Sequence, residues 1–285
     1  MTWSLLVSVA VFSFVTSVTP GPNNTFLLSS GANFGLKKSL PYLNGIMVGL
    51  AGMMIALGAG LGVIFTTLPV VYQVERLRDG GSFSTRRVTA IQKGQPIFTC
   101  SASFQYDEEG FEHQGQMPQV VGPDNLPSEV ELAERMADQL PEHIRDKLLC
   151  AKPIEVRPVT EKDPFNPTPG DPVKYVWFRA DGNLPDSQAL HKYMLAYASD
   201  FGLLTTSLMP HGKSVWHRDM QLASLDHALW FHGNLRADDW LLYAMDSPWA
   251  GNARGFARGS IFNRAGQLVA SSCQEGLIRH RKDWA

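Results

Sequence analysis

Apolar and polar positions change rhythm several times along this chain. Residues 4–18 (SLLVSVAVFSFVTSV) and 45–71 (GIMVGLAGMMIALGAGLGVIFTTLPVV) are nearly continuous apolar runs. About 20 apolar residues span a bilayer, so the second run predicts a membrane-type helix. Its glycines at 45, 49, 52, 58, 60 and 62 are poor in a water-soluble helix but allow close helix–helix approach in lipid. The first run is shorter, yet it continues without charge through TPGPNNTFLLSS, which predicts a second, Pro-kinked span. From residue 72 the texture turns to strands. Residues 72–105 predict three of them, broken at Asp79-Gly80-Gly81 and Lys93-Gly94. A capping box, Ser128 with Glu131, starts one helix. A strand over 175–182 then leads into a helix with Asp186 as its N-cap, followed by strands near 222–233, 240–250, 252–263 and 268–280.

One strand, one long helix, then an antiparallel run of strands predicts a sheet curled around a helix. That is the hotdog arrangement, with its central helix buried nearly all round. In this helix Leu190, Tyr193, Met194 and Tyr197 fall at i, i+3, i+4 and i+7, the spacing of one buried face. Asp200 follows on the same stripe. A buried, unpartnered carboxylate is costly, so Asp200 is either partnered and functional or a C-terminal residue turning to water near Gly202.

Charge sharpens the division of the chain. Of 25 basic and 27 acidic residues, only Lys37 and Lys38 precede residue 75. Residues 106–172 hold 15 acidic and 6 basic side chains and 10 of the 18 prolines, which predicts a surface linker with a short helix. The expected organisation is therefore 1–71 apolar, 72–105 stranded, 106–172 linker and 173–285 a complete helix-and-sheet unit. A net charge of −2 gives no case for a nucleic-acid partner. Three widely spaced cysteines fit neither a disulfide framework nor a zinc site, and no metal or cofactor is expected. A secretory signal peptide is disfavoured by the absent positive n-region and cleavage site.

Period two brings further chemistry into reach. Ser224, Asp226, Ala228, Trp230 and His232 share one strand face, and His227 points to the other, so Asp226 and His227 do not form a simple dyad. Gln274 points opposite to Cys273. Carboxylate, hydroxyl and amide on a dry surface can hold one water, whose proton the carboxylate accepts as it attacks a carbonyl. Arg254 and Arg258 share a strand face and could meet a phosphate-bearing substrate. No G-x-S-x-G elbow appears.

Two resemblances follow. TPGPNN (19–24), the Gly31-x-x-x-Gly35 step with Lys37 and Lys38, and the glycine-rich second run resemble the start of lysine-exporter/homoserine-resistance amino-acid exporters. Such exporters have about six spans, so two spans imply membrane association rather than transport. The basic residues Arg76, Arg78, Arg86, Arg87 and Lys93 then favour a cytoplasmic location, or an inner-membrane one with the rest facing the cytoplasm.

Residues 72–285 resemble the bacterial acyl-CoA thioesterase II family through LRDGGSFSTRRVTAIQKGQPIF, ASFQYDEEGFEHQ, AYASDFGLL, SLDHALWFH, NARGFARGSIF and LVASSCQEG. The resemblance implies an α+β double-hotdog fold and hydrolysis of acyl-CoA, as substrate, to free acid and coenzyme A without cofactor. It also implies a homo-oligomer. The family's water-orienting carboxylate maps onto Asp200, its hydroxyl onto Ser224 (commonly threonine) and its glutamine onto Gln274. A backbone N–H near a helix N-terminus is expected to polarise the thioester oxygen. The first hotdog is expected to be truncated, its central helix replaced by the exporter-like run. Alternatives are an exporter remnant with a passive tail, or a non-catalytic acyl-CoA binder.

Overall fold

The computed structural model describes residues 69–137, 142–150, 152–161 and 163–281. The expected spans at 4–18 and 45–71 fall almost wholly outside these residues, as does the segment expected to replace the first central helix. Among the described residues no helix is long and apolar enough to cross a membrane.

Two compact units divide at Gly110. The described part of the first is an antiparallel meander of β1 (Val70–Asp79), β2 (Phe83–Gln92) and β3 (Gln95–Gln105). Both breaks fall at the expected glycine-containing turns. Lys93 and Gly94 have φ of 51° and 75°, the two positive angles of a two-residue hairpin loop. Val71, Tyr72, Val74, Phe98 and Phe104 are exposed on this sheet.

The second unit is a seven-stranded antiparallel sheet wrapped on one helix. Its elements begin with α1 (Glu129–Arg135) and α2 (Glu142–Leu149). Next come β4 (Ile154–Pro158), β5 (Val173–Ala180) and α3 (Gln188–Ala198). A 3-10 segment over Leu204–His211 follows. The unit closes with β6 (Met220–Ser224), β7 (Ala228–Phe231), β8 (Leu241–Gly251), β9 (Arg254–Asn263) and β10 (Leu268–His280). The order across the sheet is β4-β5-β8-β9-β10-β6, with β7 also paired to β10. The anticipated Ser128 capping box is made in both directions.

Leu195 and Ala198 of α3 pack into a core with Val176, Phe178, Tyr243 and Ile261 from the sheet. The helix face was assigned differently from sequence. His191, Leu195 and Ala198 are its buried residues, whereas Tyr193 and Tyr197 are 69% and 51% exposed. The helix is therefore buried on one side, not all round. Tyrosine tolerates water at its hydroxyl, so two tyrosines at helical spacing do not fix the inward face. Asp186 is not the cap: Ser187 occupies that position without a side-chain bond, and Asp186 pairs with Arg236.

The 3-10 segment continues the helix path across the same face. It is admitted by Gly276 and Gly255, which sit opposite each other on β10 and β9. A Cβ on the first would overlap Leu204, and one on the second would overlap Ser207. Residues 106–172 are more than a linker. They supply β4 and α2 as well as α1, and Met117, Val120 and Leu126 pack on Trp177, Trp240, Leu242 and Phe262 over the outer sheet face. The Trp177 indole donates to the Val121 carbonyl (2.8 Å), and Arg157 donates to the carbonyls of Pro123 and Leu126. Prolines here set an extended strap rather than a solvated tether.

Candidate active site

The site forms where α3 ends. Asp200 lies in the turn after the helix and is exposed, ahead of Gly202 at φ +75°. Of the two readings of Asp200, the exposed turn is the one realised, yet the carboxylate is partnered. Gln274 Nε2 donates to Asp200 Oδ1 at 2.6 Å and to Ser224 Oγ at 3.1 Å. Gln274 itself is 1% exposed, and its Oε1 has no partner among the described residues. One buried amide thus spans the carboxylate and the hydroxyl, and all three sequence candidates meet.

A break in the sheet makes this possible. Ser224 on β6 is registered against Gly276 of β10, and Ala228 on β7 against Cys273. Three residues, Leu225 to His227, therefore face only Gln274 and Glu275, a bulge that removes the strict alternation expected here. Its backbone is fixed to Glu275: the amides of Leu225 and Asp226 donate to the Glu275 carbonyl, and the Glu275 amide donates to Asp226 Oδ1 at 2.7 Å. Asp226 is thus structural. His227 turns to the end of α3, where Nε2 lies 2.8 Å from Ser199 Oγ. Burial holds the His227 pKa below the usual imidazole range, against the opposing charges of Asp200 and Asp226.

A cavity of about 340 Å³, mostly apolar but with Glu129, Lys152 and Lys174 in its wall, reaches the end of α3. Ile154, Val176, Phe178 and Tyr243 line it from the sheet, and Ala198 and Phe201, on either side of Asp200, line it from the helix end. A smaller one, about 220 Å³, includes Gln188 and Arg236 at the other end of α3, away from the trio. The expected polarising N–H does not come from the N-terminus of α3, because Gln188 and Asp200 occupy opposite ends of the helix.

The two candidate phosphate ligands are engaged. Arg258 Nη2 lies 2.7 Å from Asp246 Oδ2, and Arg254 Nη1 lies 3.0 Å from Glu275 Oε1. Ser199, His227, Tyr243 and Ser272 are additional polar residues around the site that sequence patterning missed. The approach of His227 depends on the bulge, which no periodicity announces.

Comparison with known proteins fits this geometry. The acyl-CoA thioesterase family model matches residues 144–277, and the model of the acyl-CoA thioesterase N-terminal domain matches 61–105. A solved acyl-CoA thioesterase II from Mycobacterium marinum superposes with a TM-score of 0.60 at 41% identity, covering 75% of each chain. Sheet, helix and this likeness define a thioesterase of the hotdog class. Acyl-CoA thioesterase 2 of Haemophilus influenzae is 41% identical over 211 residues, 74% of either chain. The chain belongs to the acyl-CoA thioesterase family. A separate, shorter similarity links 26% of the chain to 33% of a leucine efflux protein of an Enterobacter species, at 31% identity.

Proposed function

We propose that this chain hydrolyses acyl-CoA thioesters to a free fatty acid and coenzyme A, with Asp200 as general base. The observation that carries the reading is the Gln274 amide, which holds the carboxylate and the Ser224 hydroxyl around one point. A water there is oriented by Ser224 and Gln274. Its oxygen attacks the thioester carbonyl carbon while its proton passes to Asp200. The tetrahedral oxyanion then reforms the carbonyl and expels the coenzyme A thiolate, which leaves with little need of protonation (a cysteine thiol, for comparison, has a pKa of about 8.5). General-base help of this kind contributes about 10²–10⁴ in rate. The apolar part of the cavity at the end of α3, lined by Ile154, Val176, Phe178 and Phe201, receives the acyl chain, and Arg254 and Arg258 take coenzyme phosphates by exchanging partners with Glu275 and Asp246.

Steady-state hydrolysis of a long-chain acyl-CoA by the purified full chain tests this, with D200N beside it. Turnover by the parent, lost in the variant while acyl-CoA binding persists, is expected. Binding without turnover in both proteins would instead establish a non-catalytic acyl-CoA binder.

The efflux-protein similarity supports a second element: residues 1–71 tether the hydrolase to a membrane with the catalytic unit on the cytoplasmic side. Sedimentation with membranes that is lost on deleting residues 1–71 tests it. The exposed apolar residues of β1–β3 further support a homo-oligomer, which light scattering measures directly.

A further inference from the structure

Asp200 projects from an exposed turn, yet a general base must be held to within a fraction of an ångström. The residue before it is the reverse case. Ser199 is fully buried, and both its polar oxygens are held by other parts of the unit. Its carbonyl accepts from the Tyr243 hydroxyl at 2.6 Å. A carbonyl can only accept, so the one Tyr243 proton is committed there, and Ser272 Oγ, 2.7 Å away, donates to Tyr243. The Ser199 hydroxyl donates to the Ala196 carbonyl at 2.9 Å. By the same argument it accepts from His227, which therefore carries its proton on Nε2.

The Ser199–His227 pair contains the atoms of a nucleophile and its base. That role fails here, because the hydroxyl is sealed from solvent and its proton is already committed to the helix. What the pair does is join three pieces of the fold. Tyr243 and Ser272 belong to the sheet floor on β8 and β10. His227 belongs to the same bulge that carries Ser224 to Gln274. Both strands of support meet at the residue bonded covalently to Asp200.

We propose that Ser199 is a positioning residue, clamped by Tyr243 at its carbonyl and by His227 at its hydroxyl, and that this clamp sets the reach of Asp200 toward the water. The proposal rests on Asp200 being the base. It locates the precision of the site outside the trio, in a residue with no access to substrate. Misplacement by about 1 Å is worth about 10²-fold in such reactions.

The test uses the full chain and steady-state acyl-CoA hydrolysis by Y243F, H227A, H227Q and the Y243F/H227A double variant. Y243F keeps the ring and removes only the donor. Expected is a kcat loss of about 10–100-fold in Y243F and H227A with KM within about two-fold. H227Q, whose amide N–H can replace the imidazole donor, recovers most of it. The double variant loses less than the product of the single losses, because both act through Ser199. His227 is exposed, so its two variants decide the matter even where Y243F fails to fold. A kcat near the parent's in H227A while D200N abolishes turnover overturns the clamp alone. So does H227Q as slow as H227A, or a change confined to KM. A parent chain without hydrolysis, equal to D200N, overturns the base and the clamp together.

Discussion

Tyr243 occupies the space in which residue 259 would carry a side chain. Gly259 on β9 is registered between Met245 of β8 and Ser272 of β10, and a Cβ built there overlaps the Tyr243 ring. The absent methyl is what lets the ring lie flat on the sheet with its hydroxyl at the Ser199 carbonyl. G259A should therefore displace the ring. Overpacking of a well-filled core typically costs about 1–3 kcal/mol. Denaturant unfolding should show a lower midpoint at unchanged slope, together with reduced turnover. A variant as stable and active as the parent would mean that the ring has room elsewhere.

Gln274 can gain a charge at nearly constant shape. Its Nε2 is 2.6 Å from Asp200 Oδ1, so Q274E sets two carboxyl groups at hydrogen-bond distance. Like charges this close cannot both ionise, and the pair retains a proton. The retained proton sits on the folded state, which then binds more protons than the unfolded chain, and stability must fall as pH rises. Relative to the parent, Q274E should lose stability between pH 5 and pH 8 and lose at least about 10²-fold in turnover at pH 8. Melting temperatures that track the parent's across this range would place the two carboxyl groups apart.

Much of the catalytic unit could be read from its sequence, for identifiable reasons. Strands β9 and β10 largely alternate in burial, β5 and β8 carry runs buried on both faces at Val176–Phe178 and Leu241–Tyr243, and the turns at Lys93-Gly94 and after Gly251 occupy positive φ. The helix was visible but its inward face was not. The stripe through Leu190, Tyr193, Met194 and Tyr197 and the stripe through His191, Leu195 and Ala198 obey the same period. Only the sheet beneath decides that a histidine goes in and two tyrosines stay out. The strap over 111–126 was hidden because prolines and acids read as solvated. The meeting of Asp200, Ser224 and Gln274 followed from resemblance rather than spacing. Ser199 and His227 were illegible, since a three-against-two bulge breaks the alternation on which face assignments rest.

Arg254 and Arg258 present a choice between structure and recognition. Each sits on β9 against a carboxylate from a neighbouring strand, with side chains 43% and 58% exposed. Pairs this exposed contribute little to stability, typically about 0–1 kcal/mol. R258A should therefore leave the melting temperature nearly unchanged. If a coenzyme phosphate displaces Asp246, R258A raises KM for acyl-CoA several-fold at constant kcat, and D246N lowers it. A KM indifferent to both changes would assign the arginines to the sheet surface alone.

The far end of α3 is anchored by Asp238, and acid should release it. Arg236 grips this carboxylate with two bonds, Nε to Oδ1 at 2.9 Å and Nη2 to Oδ2 at 2.7 Å. The Leu184 amide adds a third at 2.9 Å, tying the approach to α3 to the loop before β8. The Arg236 bonds, first among several causes, pull the Asp238 pKa from 3.8 to about 2. A depressed carboxylate pKa means that the folded state releases this proton more readily than the unfolded chain. Its contribution is complete above pH about 4 and is lost as pH falls through about 2. R236A removes the principal cause, so its folded-state pKa returns toward the ordinary value and this acid-sensitive contribution shrinks. Melting temperatures of parent and R236A should differ most above pH 4 and converge as pH approaches 2. Parallel curves over that window would show that Asp238 takes no part in holding the start of the helix whose other end carries Asp200.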